Sequence, residues 1–145
     1  SQIKNDFNCI NLGAASITSL QALDSILSLD LNYSMSPFFN RRVHLKAIKH
    51  NQLVIPGVSS INNFKEAIKL GYKIIKIYPA SKLGIEFLNK LKSLEQNDIF
   101  FIGAGGIKSS DLNNLHNYGY NALAIGKELN NQIADDSLKN WLKNF

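Results

Sequence analysis

The sequence predicts an α/β fold with a parallel sheet, built either as a (β/α) barrel or as a doubly wound sheet. Three observations carry this. Strand-like and helix-like runs alternate six times along the 145 residues. The strand runs are apolar almost throughout, as a sheet covered on both faces requires. The loops are short, and the strand-helix repeat is roughly twenty-odd residues. Glycine-rich turns follow the last two strands, where many barrels bind phosphate, although six units are two short of a closed barrel. No linker interrupts residues 1–145, which read as one domain.

Residues 1–7 are polar. Cys9-Ile-Asn-Leu12 alternates like a short strand, and Gly13-Ala-Ala15 gives a tight turn. Ser16 is placed to cap a helix over residues 17–29, with Leu20, Leu23, Ile26 and Leu27 as its apolar face. Residues 31–36 form a strand that ends at Pro37. Asn40 is the next cap, for a helix over 41–50 with Val43, Ala47 and Ile48 inward. Residues 53–58 form a strand closed by Ser59-Ser60. A helix over 62–70 stops at Gly71, which supplies a left-handed residue at no steric cost.

The stretch Lys73–Ala80 is the central strand, ended by Pro79. Residues 82–96 are helical, with Ile85, Leu88, Leu91 and Leu94 on one side. The strand over 98–102 runs into Gly103-Ala-Gly-Gly106. Ser109 caps a helix over 111–118 that Gly119 stops, and the strand over 120–125 ends in Gly126. A last helix is expected from about Asp136 to Phe145, with Leu138, Trp141, Leu142 and Phe145 as its apolar positions.

Composition narrows the function classes. The chain is 45% hydrophobic and 19% charged, with a formal charge of +5, which describes a globular domain with material for a core. Its basic residues are mostly single, with Arg41-Arg42 the only adjacent pair in the first half and no basic block interleaved with aromatics, so no nucleic-acid partner is expected. No apolar run reaches membrane-spanning length, and the first residues are not a signal peptide. Cys9 is alone, which fits a reducing compartment and a cytoplasmic protein. His44, His50 and His116 lack ligand spacing, so no metal is expected.

Lys76 is the residue that the strand pattern does not explain. It lies between Ile75 and Ile77 and shares a face with Ile74 and Tyr78, which a barrel would turn inward. A buried ammonium must be paired, reach water or lose its proton. A neutral amine in that position can attack a ketone to form a Schiff base. The alternative is a strand-end lysine whose stem lies on apolar surface and whose head is wet. Two glycine turns are phosphate candidates: Gly105 and Gly106, and then Gly126 with Lys127. The alternative for each is a tight strand-to-helix turn. Ser16, Ser36 and Ser59, with Pro37 and Pro56, lie at strand ends that would share the same mouth. Each serine could bind a polar substrate or serve only as a cap or turn residue.

Lys76-Ile-Tyr-Pro-Ala80 resembles the Lys-Phe-Phe-Pro-Ala signature of the class I 2-keto-3-deoxy-6-phosphogluconate (KDPG) and 4-hydroxy-2-oxoglutarate (KHG) aldolases. Val54-Ile-Pro-Gly-Val-Ser59 is similar to that family's preceding strand and turn. Ala104-Gly-Gly-Ile107 resembles its Thr-Gly-Gly-Ile phosphate loop, Gly13-Ala-Ala-Ser-Ile17 its Gly-Ala-Gly-Thr-Val turn, and Ser36-Pro37 its Ser-Pro. The order and spacing agree from about Ile10 to about Leu129.

The resemblance implies a TIM-barrel type fold, incomplete at about six of eight units, and truncated at its N-terminus relative to the family. It implies that Lys76 forms the Schiff base, with no cofactor beyond that covalent lysine. Gly105 and Gly106 would contact phosphate, with Gly126, Lys127, Ser16, Pro37 and Pro56 around the substrate. The implied substrate is a keto acid or phosphorylated sugar acid, cleaved to pyruvate and an aldehyde, and the implied assembly is a homotrimer. The family's catalytic glutamate and its substrate-binding arginine belong to a strand before the Gly-Ala-Gly-Thr-Val turn, and residues 1–145 hold no counterpart of either. Ala104 stands where the family has threonine, and Lys127 near a family serine. The competing readings are a non-catalytic or weakly active remnant that binds phosphate or keto acid, and a phosphate-binding barrel similar to thiamine-phosphate synthases.

Overall fold

A computed structural model describes residues 11–29, 31–94, 98–126, 136 and 138–140. In chain order the elements are β1 (Gly13–Ala14), α1 (Leu20–Leu27), β2 (Tyr33–Met35), α2 (Arg41–Lys49), β3 (Val54–Ile55), β4 (Gly57–Val58), α3 (Ile61–Lys69), β5 (Ile74–Ile77), α4 (Ala80–Leu94), β6 (Phe100–Ala104), a 3-10 turn (Ser109–Asp111), α5 (Leu112–Asn117) and β7 (Ala122–Ala124). Every strand pairing is parallel. One sheet has the order β1-β2-β3 and the other β4-β5-β6-β7.

The two sheets are one arc. β3 and β4 are halves of a single run interrupted at Pro56, which has no N–H to donate. On one side Ile55 O accepts from Ser36 N (3.0 Å), and on the other Pro56 O accepts from Lys76 N (2.9 Å). Five of the six expected strands are therefore present in sequential order, with β1 at Gly13–Ala14 just after the expected Cys9–Leu12, and the fold is parallel α/β. Parallel strands all end at one rim. The loops after β1, β2, β4, β5, β6 and β7 therefore open on the same side.

Packing follows the apolar pattern. The larger core joins Val58, Phe64, Ala67, Ile75, Ile77, Leu88, Leu91, Phe101, Leu112 and Tyr120, and the smaller joins Ile17, Leu23, Ile26, Val43, Ala47 and Val54. Ile75 and Ile77 are fully buried on the face that packs on α3 and α4, each worth roughly 1.5–3 kcal/mol of transfer. Their alternation leaves Lys76 on the opposite face of β5.

Local chemistry shifts several boundaries. Ser19, not Ser16, caps α1, accepting from Ala22 N at 3.1 Å. Ser16 lies at φ 63°, and the next amide, Ile17 N, still donates to Met35 O (3.1 Å), so the chain is not yet free to coil. Gly13–Ala14 pairs with β2 where a turn was expected. Asn40 does cap α2, yet its buried face is Val43, His44 and Ala47, which leaves Ile48 44% exposed. Helix α3 starts one residue early because Ser60 accepts from Asn63 N (3.2 Å). Helix α4 starts directly after Pro79 and is kinked at Gly84 (φ 71°, ψ 178°). Ser109 opens a 3-10 turn rather than capping α5. Cys9, Ile10, Trp141, Leu142 and Phe145 lie outside the described residues, whereas Leu138 packs against the larger core.

Candidate active site

Lys76 is 6% exposed. Across the sheet it stands opposite Gly57 of β4 and Ile102 of β6, neither of which can pair with a charge. No carboxylate makes an ion pair with it among the described residues. Its Nζ lies 5.3 Å from the centre of the Tyr78 ring. Desolvation by burial pulls the Lys76 pKa down to about 8, so a useful fraction is neutral amine near neutral pH. The strand-end alternative fails on this geometry: the head does not stand in bulk water.

A cleft of about 670 Å³ is lined by that Tyr78 with Gly105, Gly106, Ile107, Lys108, Ala124, Ile125 and Gly126. The loop after β6 supplies its floor. Gly105 (φ 89°) and Gly106 (φ 70°) both adopt left-handed backbone that other residues resist. Gly105 O accepts from Ser81 N at 3.2 Å, which fixes the loop to the first turn of α4. Exposed Gly106 and Lys108 offer a backbone amide and a cation to an anion in the cleft.

The structure brings Gly105, Gly106 and Gly126 together with Tyr78, the ring that Lys76 Nζ approaches. Pro56 neighbours Lys76 through its carbonyl. Pro37 packs its backbone against Gly57, one strand from the lysine. Neither proline lines the cleft, nor does Ser16, which is exposed beyond β1. Ser59 is exposed as well, and Lys127 lies outside the described residues. Ala104 is 7% exposed at the end of β6.

Ser36 has a different assignment. It is 1% exposed and belongs to a buried polar network. Gly57 N donates to Ser36 Oγ (3.2 Å), Ser36 Oγ meets His44 Nε2 (3.2 Å), and His44 Nδ1 meets the Tyr72 hydroxyl (2.8 Å). Phe39 stacks on the His44 ring at 4.9 Å between centroids. Burial pulls the His44 pKa down to about 4, so the ring is neutral. The network buttresses Gly57 from behind, opposite Lys76. Histidine spacing gave no sign of it, because its partners are 8 and 28 residues away. Lys108 and Tyr78 also escaped notice as cleft residues. The available signal was that each adjoins a motif already singled out.

Among the described residues no group of three His, Cys, Asp or Glu side chains could hold a metal ion, and no helix is long and apolar enough to cross a membrane.

A model of the family described as KDPG and KHG aldolase matches residues 2–139. A 2-dehydro-3-deoxy-phosphogluconate aldolase of Treponema pallidum is 27% identical over 116 residues, covering 80% of this chain and 54% of that protein. A 2-dehydro-3-deoxy-6-phosphogalactonate aldolase of Escherichia coli is 22% identical over 118 residues, covering 81% of this chain and 58% of that protein. The chain thus spans little more than half the length of these relatives. The fold is similar to a crystal structure of the KDPG aldolase of Legionella pneumophila with pyruvate captured as a covalent carbinolamine (TM-score 0.80, 21% identity, 97% of this chain and 67% of that one).

Proposed function

The chain belongs to the KDPG and KHG aldolase family, and on that premise we propose that it carries a Schiff-base lyase site with Lys76 as its nucleophile. The observation that carries the reading is the buried, unpaired Lys76 amine, held against the wall of a cleft floored by glycines.

Neutral Lys76 Nζ attacks the C2 carbonyl of a 2-keto acid, and loss of water from the carbinolamine gives the iminium. The C3–C4 bond then breaks. Its electron pair moves to the iminium nitrogen, leaving an enamine, and C4 departs as an aldehyde once its hydroxyl proton is taken. Protonation of the enamine at C3 and hydrolysis by water return pyruvate and free Lys76. The carbinolamine on pyruvate in the Legionella relative corresponds to the last adduct of this sequence, the one that releases pyruvate. Gly105, Gly106 and Gly126 with Lys108 suit an anionic group at the far end of the substrate, such as a phosphate. Lys127, next in the chain, would extend that contact. Ser16, Pro37 and Pro56 would border the keto-acid end. The site needs no cofactor beyond the lysine itself.

The C4 proton needs an acceptor, and the resemblance gives that task to a glutamate with no counterpart in residues 1–145. Loss of a general base costs about 10²–10⁴ in rate. A polypeptide of residues 1–145 by itself is therefore expected to form the imine and to cleave the carbon–carbon bond slowly. A homo-oligomer, a trimer by family resemblance, completes the proposal. The third reading, a barrel that only grips phosphate, shares the glycine loops but gives no reason for a buried Lys76.

The test is reductive trapping. Pyruvate with borohydride should leave one covalent adduct on Lys76, seen by mass spectrometry of the digested protein and absent from Lys76→Ala. An unmodified Lys76 would leave only the non-catalytic reading.

A further inference from the structure

We infer that Tyr78 is a positioning residue whose ring holds the Lys76 amine and is itself seated by the absent side chain of Gly105. The inference rests on the reading of Lys76 as nucleophile. Two contacts define it. The Lys76 Nζ lies 5.3 Å from the Tyr78 ring centre, within reach of its negative face. A Cβ added at Gly105 would come within 2.7 Å of the same ring and 3.1 Å of Pro79 Cα.

Among the described residues no acid on the neighbouring strands serves the amine. β4 (Gly57–Val58) and β6 (Phe100–Ala104), which flank Lys76, carry no ionisable side chain. On its own strand no acid is present, and the helices pack on the other face of β5. The other charge at the cleft, Lys108, has the same sign as the amine. The ring is therefore a favourable neighbour for an ammonium that no carboxylate pairs among the described residues. It also lines the cleft, so one ring touches both the amine and the cleft.

The loop cannot retreat to make room for a side chain. Gly105 O is held by Ser81 N, and a Cβ at the next residue, Gly106, would meet Ser81 Oγ. Gly105 is thus required for the seat of Tyr78, apart from any contact with an anion. The ring favours the charged amine and so opposes part of the burial penalty. It also fixes where the nitrogen stands.

The experiment is a titration that needs no aldolase activity. Lysines are dimethylated with ¹³C-formaldehyde and cyanoborohydride, and the Lys76 methyl resonance, assigned by its loss in Lys76→Ala, is followed against pH. Tyr78→Phe keeps the ring face and should leave the midpoint unchanged. Tyr78→Leu should lower it by about 0.5–1.5 pH units, the usual strength of such a contact divided by the energy of one unit. Gly105→Ala should move it in the same direction. Superimposable Tyr78→Leu and starting curves would overturn the inference. So would an upward shift, or a Tyr78→Phe shift as large as that of Tyr78→Leu. Thermal melts establish that each variant is folded, and the two Tyr78 variants decide the matter if Gly105→Ala does not fold. A Tyr78-dependent titration without a pyruvate adduct counts against the proposed reaction alone.

Discussion

Lys76 stands opposite Gly57 in the register of β4 and β5, and Gly57 is pressed from behind by the backbone of Ser36 and Pro37. The space that holds the amine is bounded by main chain, which does not yield as a side chain would.

Gly57→Ala should therefore be costly. Its Cβ would run into the carbonyls of Ser36 and Pro37. Overpacking of this kind typically costs about 1–3 kcal/mol. Urea unfolding should show that loss, and pyruvate trapping at Lys76 should fall with it even under native conditions.

Lys76 should make the protein more stable as pH rises. Its folded pKa of about 8 lies below its ordinary 10.5, so the unfolded chain binds more protons between those values. The penalty for burying the charge is fully present below pH 8 and is relieved between pH 8 and 10.5. Its size is roughly 3 kcal/mol at 1.36 kcal/mol per unit. Lys76→Met should be more stable than the starting protein at pH 7, with a difference that shrinks toward pH 10.5. Equal stabilities at pH 7 would contradict the burial penalty.

His44 should govern acid sensitivity. Its folded pKa of about 4 lies below the ordinary 6.5, so its contribution is complete above pH 6.5 and is lost as pH falls from 6.5 through 4. The window is worth roughly 3 kcal/mol. His44→Gln removes this titration but strands the Tyr72 hydroxyl, so it should be less stable at pH 7 by about 1–3 kcal/mol. Its stability should nonetheless change less between pH 6.5 and 4 when followed by urea midpoint.

Association should accompany folding. Among the described residues β1 and β7 each pair on one side only, and Leu45, Leu53, Phe100 and Tyr118 are substantially exposed. Open strand edges and apolar surface favour contact with another chain. Light scattering after size exclusion should give a mass above the 16.2 kDa of one chain. A stable monomer would contradict this.

Residues whose environment is set by neighbours along the chain were the legible ones. Alternation in Lys73–Tyr78 placed Lys76 on a packed face, and the glycines after β6 marked the turn that floors the cleft. Ser16 and Ser19 satisfy the same capping rule, and only the bond from Ile17 N to Met35 O decides between them. The inner face of α2 turns toward His44 rather than Ile48 because Ser36 and Tyr72 offer that ring two hydrogen bonds, a fact held in other segments. The break of one strand at Pro56 was hidden for a related reason. A proline in an apolar run shows a missing donor, but not which neighbour each half will bond.

That break sets how the molecule should breathe. The smaller core closes around Val54 on one side of Pro56, and the larger around Val58 on the other. Each cluster has its own helices, and a single prolyl residue joins them along the strand. Such an arrangement suits two cooperative opening units rather than one. The first holds β1 to β3, and the second holds β4 to β7 with Lys76 and the cleft. The half that carries Lys76 could then keep its amides protected from solvent exchange while the other half opens and recloses.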